Sequence, residues 1–254
     1  MTAPVLTEVD GAVLAITLDR PDKRNAIDST MAEAICAAID RLDGERELRV
    51  AVLAANGPAF CAGLDLKAFA LGDRGRSEAR GFGGITARPP RKPVVVAVEG
   101  PALGGGFEIV LACDLIVASS NARFGLPEAT RGQLATAGGL LRLPRRIPHH
   151  RAMEMVLVGK PMSAEEAYAL GLVNRLVAPG EARAAALELA RAIAANAPLA
   201  VAGAKQVILE SPEWPREEAF ARQEQIAAPI RASKDAAEGA RAFVEKRTPS
   251  WRGE

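Results

Sequence analysis

Histidine is nearly absent from this 254-residue chain: there are two, adjacent at His149 and His150 in a basic stretch that reads as a solvated loop. That scarcity argues against a Ser-His-Asp triad and against a histidine-ligated metal. Cysteine is equally sparse. Cys36, Cys61 and Cys113 lie far apart, with no metal-binding spacing, and fit a reducing compartment. Cys61 next to Ala62-Gly63 has no histidine near it in sequence to activate it, so it reads as a small buried hydrophobe and not as a nucleophile. Charge of one sign is not in excess either: 32 Lys plus Arg against 31 Asp plus Glu leave a net +1. With two Trp and one Tyr besides, the chain offers neither the basic face nor the stacking aromatics of a nucleic-acid binder, nor a case for an anionic membrane. No apolar run reaches the roughly 18 residues needed to span a bilayer, and Met1-Thr2-Ala3-Pro4 lacks the basic and apolar regions of a secretory signal, so a cytoplasmic protein is expected.

What the chain does have is a core and a glycine-rich turn. An apolar fraction of 49% supports one large domain or two small ones. The segment Ala102-Leu103-Gly104-Gly105-Gly106-Phe107-Glu108 follows the β-branched run Val94 to Val98 and opens the apolar stretch Phe107 to Ala112. A glycine-lined strand-to-helix turn leaves backbone N–H groups unpaired at the positive end of a helix dipole, which suits a ligand oxygen gaining negative charge. The other use of such a turn is tight helix–sheet packing. It is not a dinucleotide fingerprint, because the G-x-G-x-x-G spacing is missing and the segment lies about a hundred residues in, after two other strand–helix units. Glu108 falls in the first helical turn, and Glu128 follows in Phe124-Gly125-Leu126-Pro127-Glu128. Two carboxylates beside one anion trap suggest acid/base chemistry on a carbonyl compound.

Strands and helices alternate along the chain, which predicts an α/β fold with crossovers. Val5 to Val9 and Val13 to Asp19 flank Asp10-Gly11 as a hairpin; Asp28 or Ser29 caps a helix through Leu42; Val50 to Ala54 and Leu115 to Ser119 read as strands. From Leu140 the chain turns helical. Ser163-Ala164-Glu165-Glu166 is a capping-box sequence closed by Gly171, and helical periodicity runs over 181–197 and 234–246, with Pro198 and Pro212 as separators and few strand signals after Val177. The Gly/Arg-rich stretch Gly72-Asp73-Arg74-Gly75-Arg76, through Gly81-Phe82-Gly83-Gly84, is expected to be a mobile loop.

Arg24-Asn25-Ala26, Phe60 through Leu66, Gly100 through Glu108, Cys113-Asp114, Phe124 through Glu128, Gly138-Gly139 and Gly171-Leu172-Val173, in this order over essentially the whole chain, resemble the crotonase superfamily, typified by enoyl-CoA hydratase. The resemblance implies a spiral of ββα units over residues 1–195 and a helical region over 196–254 that builds a homotrimer or a dimer of trimers. It implies a coenzyme A thioester as substrate, with no metal or separate cofactor. It maps the two thioester-binding N–H groups onto Leu64, where alanine is commoner, and Gly105. It makes Glu108 the group that orients and deprotonates water and Glu128 the donor of the α-proton. Arg24 and Lys67 then lie near the nucleotide end; Ala26, with Ala62, Asp65 and Leu66, borders the bent ligand; Phe243 and Lys246 sit on a C-terminal helix that approaches it, sometimes from a neighbouring subunit. Taken without the resemblance, Asp65 and Leu66 are turn and core, and Phe243 belongs to one apolar helix stripe.

One departure concerns specificity. Arg131-Gly132-Gln133-Leu134-Ala135-Thr136 replaces the apolar segment with proline that many hydratases carry after the second glutamate, adding polarity close to Glu128. Gly138 through Pro144, with Gly81 through Gly84, is similar to carnitinyl-CoA dehydratase, a branch with a polar acyl group. The functions in play are hydratase or dehydratase of a 2-enoyl/3-hydroxyacyl-CoA, a double-bond isomerase using one carboxylate, and a non-catalytic coenzyme A- or RNA-binding homologue.

Overall fold

The computed structural model describes residues 3–254. Its strands are β1 (Val5–Asp10), β2 (Val13–Leu18), β3 (Val50–Ala55), β4 (Arg76–Ser77), β5 (Gly81–Phe82), β6 (Val94–Val98), β7 (Pro101–Leu103), β8 (Leu115–Ser119), β9 (Arg123–Gly125), β10 (Met162–Ser163) and β11 (Arg175–Val177). Its α-helices are α1 (Ser29–Gly44), α2 (Leu66–Ala70), α3 (Gly105–Ala112), α4 (Gly139–Arg142), α5 (His149–Val158), α6 (Ala164–Ala169), α7 (Ala182–Ala194), α8 (Pro198–Glu210), α9 (Ala219–Arg231) and α10 (Lys234–Val244). None of the described helices is by itself long and apolar enough to cross a membrane.

The main sheet has the order β1-β2-β3-β6-β8-β11, with β1 antiparallel to β2 and every other pair parallel. A second sheet, β10-β9-β7, lies beside it. The chain leaves the first sheet at β6 and β8 to enter the second at β7 and β9, which makes the repeating turn of a crotonase-type spiral. Alternation along the strands divides the core. Leu14, Ile16, Leu18, Val96 and Val98 face α1 and α3, whereas Val13, Val50, Val52, Val95 and Val117 face Ala182, Ala186 and Ala190 of α7. Both faces are covered, so β3 and β6 can be apolar throughout, and β2 is apolar but for Thr17. The alanine stripe on α7 lets that helix approach the sheet closely.

Local chemistry accounts for the boundaries. Asp28 accepts from Met31 N–H to start α1, and the Ser163–Glu166 capping box closes in both directions at α6. Two expectations are corrected. His149 and His150 are exposed as expected, but they form the first turn of α5 and not a loop. The Gly/Arg-rich stretch is not free to move: β4 and β5 pair within it, Asp73 accepts from Ser29 N–H, Ser29 Oγ and Gly75 N–H, and Arg80 is 1% exposed. Arg80 Nε donates to Asp40 at 2.9 Å and Nη1 to Arg88 O at 2.8 Å, while Nη2 lies 3.2 Å from Asp43. Its guanidinium thus pins this segment to α1. Arg80→Leu leaves Asp43 without that partner in a mostly buried setting and is expected to cost about 3 kcal/mol by chemical denaturation. A loss below about 0.5 kcal/mol would show that the clamp is dispensable.

After α7 the helices are tied back onto this body. Lys205 of α8 pairs with Asp114 at 2.7 Å, and Trp251 Nε1 donates to Ala195 O. Arg49 donates to Ala194 O and Trp251 O, and the buried Asp235 accepts from the N–H groups of Arg252 and Gly253.

Candidate functional site

The glycine turn sits where β7 passes into α3. Helix α3 is buried on almost every side because Phe107, Ile109, Val110 and Leu111 are all apolar, and this fixes Glu108 in its first turn. Against the turn lies the segment Cys61 to Leu64. Two glycines permit that approach: a Cβ at Gly106 would fall 2.3 Å from Cys61 O, and one at Gly63, whose φ is +93°, would fall 3.0 Å from Leu103 O and 3.2 Å from Gly105 N. The backbones carrying Leu64 and Gly105 are therefore neighbours. Among the described residues neither of those two N–H groups donates to a protein acceptor.

Both residues line a cavity of about 610 Å³, and so do Glu108 and Glu128. Glu108 is buried, and its Oε1 accepts from Ala137 N–H at 2.8 Å and Gly139 N–H at 2.9 Å. Glu128 Oε1 lies beside the turn, 3.2 Å from where a Cβ on Gly104 would be, and its Oε2 is the one buried side-chain polar atom among the described residues without a hydrogen-bond partner. Burial pushes the Glu108 carboxyl above the ordinary glutamate range; the like charge of Glu128 adds to this, and the Gly139 and Ala137 N–H groups and Arg142 oppose it. Burial likewise raises Glu128, opposed by its own backbone N–H and by Arg131.

Stability should follow. A carboxyl that is harder to ionise in the folded chain stabilises below its unfolded pKa and loses that contribution as pH rises through the raised folded value. Glu128→Gln has no such loss, so its melting temperature should gain on wild type as pH is raised from about 4. A difference that stays constant in scanning calorimetry across pH would contradict the desolvated state of Glu128.

A second cavity, of about 310 Å³, is lined by Asp22, Lys23, Arg24, Ala26, Asp65, Leu66 and Lys67. The run Leu64 to Lys67 carries the chain from one cavity to the other. Arg24 and Asn25 hold φ of +51° and +53°, and the buried Asn25 sustains this by donating to Asn56 O and Ala59 O while accepting from Arg20 N–H. Asp65 caps α2 through Lys67 and Ala68 N–H groups and pairs with Arg20 at 3.1 Å. Burial alone would raise its carboxyl, but those N–H groups, with Lys23 and Arg20, hold it below the ordinary range. Asp65 is thus more than a turn residue, and Leu66, 53% exposed, is not core.

Three sequence candidates lie apart. Ala62 lines neither cavity and donates its N–H to Arg24 O. Phe243 and Lys246 are exposed at the end of α10 and line neither cavity of their own chain. Burial pushes the Cys61 thiol up to about 12, in keeping with an inert side chain. Sequence reasoning missed Arg142, whose Nη1 donates to Ala137 O and Nη2 to Thr86 O, joining the turn that holds Glu108 to the opposite wall. It also missed Phe82, Thr86, Arg74 and Arg76 on the large cavity. The Gly81-Phe82-Gly83-Gly84 motif was the available signal for that wall.

Comparison with known proteins shows the family and the fold. The family model described as enoyl-CoA hydratase/isomerase matches residues 8–254. Carnitinyl-CoA dehydratase of Proteus mirabilis (strain HI4320) is 43% identical over 251 residues, covering 96% of each chain. The crystal structure of an enoyl-CoA hydratase from Mycobacterium tuberculosis H37Rv superimposes with a TM-score of 0.98 at 49% identity over all of both chains. That of a carnitinyl-CoA hydratase from Mycobacterium avium does so with 0.80 at 38% identity, again over all of both chains. The chain belongs to the enoyl-CoA hydratase/isomerase family, the crotonase superfamily.

Proposed function

We propose that this chain reversibly adds water to a 2-enoyl-CoA thioester, giving a 3-hydroxyacyl-CoA. The observation that carries the reading is the asymmetry of the two glutamates in one cavity. Glu108 has one oxygen fixed by two N–H groups, which leaves the other to orient a water in the proposed reaction. Glu128 has a buried oxygen with no partner. Burial raises the cost of ionising this carboxyl, which suits it to the donor's role, and the α-carbon of the substrate is the acceptor in this reading. As Glu108 takes a proton from water and the water oxygen bonds the β-carbon, charge moves to the thioester oxygen, where the N–H groups of Leu64 and Gly105 receive it. Glu128 then protonates the α-carbon. No metal or separate cofactor is required by this sequence of steps.

The cavity bounded by Lys23, Arg24 and Lys67 suits the nucleotide phosphates of coenzyme A, with Ala26, Asp65 and Leu66 along it. Residues 1–195 form the catalytic part in this proposal. Residues 196–254 mediate assembly into a trimer or a dimer of trimers, for which Ile208, Phe220, Phe243 and Val244, all exposed, supply apolar contact. A cytoplasmic location fits the same reading.

The alternative with a specific observation behind it is the dehydratase direction on a carnitinyl thioester, given the 43% identity to enzymes so named. An isomerase would need only one of the two carboxyls. The test is turnover of crotonyl-CoA, followed by loss of the conjugated thioester absorbance, beside turnover of a 3-enoyl-CoA. Hydration is expected; isomerisation without hydration would overturn the proposal.

A further inference from the structure

The large cavity carries a charge pattern that hydration itself does not need. Apart from Glu108 and Glu128, its ionisable lining residues are all arginines: Arg74, Arg76 and Arg142. None of the three pairs with a carboxylate among the described residues, although arginines elsewhere in the chain do so freely. Arg142 is engaged with two backbone carbonyls. Arg74 and Arg76 are held more loosely. Arg74 lies over the Phe69 ring, 4.5 Å from its centroid, with two long 3.4 Å contacts to the carbonyls of Phe69 and Asp73, and Arg76 makes no side-chain hydrogen bond among the described residues. Both project from the segment that Asp73, the β4–β5 pair and Arg80 hold in place, so the backbone carrying this cationic wall is fixed while the two side chains are exposed.

The same wall disfavours a cationic acyl group. A quaternary ammonium is bound by unpaired carboxylates or open aromatic faces. The two carboxylates on this cavity are those of the reaction. Of its two aromatic rings, Phe69 is covered by Arg74, and Phe82 lies against Gly105, 2.4 Å from where a Cβ there would stand. Gln133 and Thr136 add neutral hydrogen-bonding groups.

Building on the hydratase reading, we infer that the acyl group this chain accepts ends in a carboxylate held by Arg74 and Arg76, in place of a trimethylammonium group. A coenzyme A phosphate is the other source of an anion for this wall, but Lys23, Arg24 and Lys67 already line the second cavity, and the experiment separates the two sources.

Binding of three saturated acyl-CoAs to the intact protein, measured by calorimetry at low salt, reads acyl charge without requiring turnover: glutaryl-CoA, butyryl-CoA and the 4-trimethylammoniobutyryl thioester. Glutaryl-CoA should bind at least about tenfold tighter than the trimethylammonio compound. The R74Q/R76Q double variant should reduce that ratio about tenfold, and R74K/R76K should restore part of it. Equal or tighter binding of the cationic compound overturns the inference. So does a loss of the same size for all three ligands in R74Q/R76Q, which would place the phosphates on these arginines. Circular dichroism confirms folding, and if R74Q/R76Q does not fold, the single variant R76Q carries the comparison. A charge preference in binding without hydration of any 2-enoyl-CoA would leave this inference standing and sink the reaction reading alone.

Discussion

Glu108→Gln and Glu128→Gln should each lower hydration of a 2-enoyl-CoA by at least the ~10²-fold typical of a lost acid/base group. Glutamine keeps the size of the side chain, and the groups that fix substrate lie elsewhere, so the loss should fall on kcat more than on KM. In the proposed reaction the two carboxyls act on one proton inventory. One takes a proton from water as the other gives one up, and the charge of Glu128 raises the cost of ionising Glu108. The double variant should therefore be scarcely worse than the worse single one, because the second loss removes little that still works. An isomerase would leave one of the single variants nearly fully active on a 3-enoyl-CoA. Steady-state rates of wild type and the three variants on both substrates separate these outcomes, and two independent losses that multiply would disprove the coupled arrangement.

Gly105→Pro should cost ~10²–10³ in kcat, the usual effect of removing one oxyanion donor. Proline is tolerated at the first position of a helix, which is where Gly105 stands, so the N–H can be removed with limited damage to α3. Any Cβ at this position meets the Phe82 ring at 2.4 Å, however, and that contact by itself pushes on the wall of the cavity. Gly105→Ala provides the control, since it makes the same contact and keeps the donor. The ratio of the alanine to the proline variant then measures the N–H itself. Circular dichroism checks folding, and a folded proline variant as active as the alanine variant would mean that the Gly105 N–H does not bind the thioester oxygen.

The residues of the site were legible to different degrees. Glu108 and the Gly104–Gly106 turn are visible because a strand-to-helix turn and its first-turn glutamate form a local pattern. Glu128 was visible only as a second acid in a short motif, since nothing in Phe124 to Glu128 says that it will face the turn. The turn that positions Glu108 was not legible. Its donors, Ala137 and Gly139, lie 29 and 31 positions away and act through backbone N–H groups that any residue but proline would supply. The Gly/Arg-rich stretch misled for a related reason. Its composition has the marks of a mobile loop, and the clamp that orders it joins Arg80 to Asp40 and Asp43, some forty residues earlier.

By itself the sequence determined the α/β character, the hairpin at Asp10-Gly11, the apolar strands, the capped helices α1 and α6, and the glycine turn with its glutamate. Each of these rests on periodicity, capping or turn chemistry within a few residues of chain. Only the tertiary structure decided that Leu64 and Gly105 stand side by side, that Glu128 keeps a buried oxygen unpartnered, and that Arg74 and Arg76 line the same cavity as the two glutamates. Those features depend on which distant segments meet and on how burial changes the cost of a charge. Neither quantity exists in the chain until it has folded.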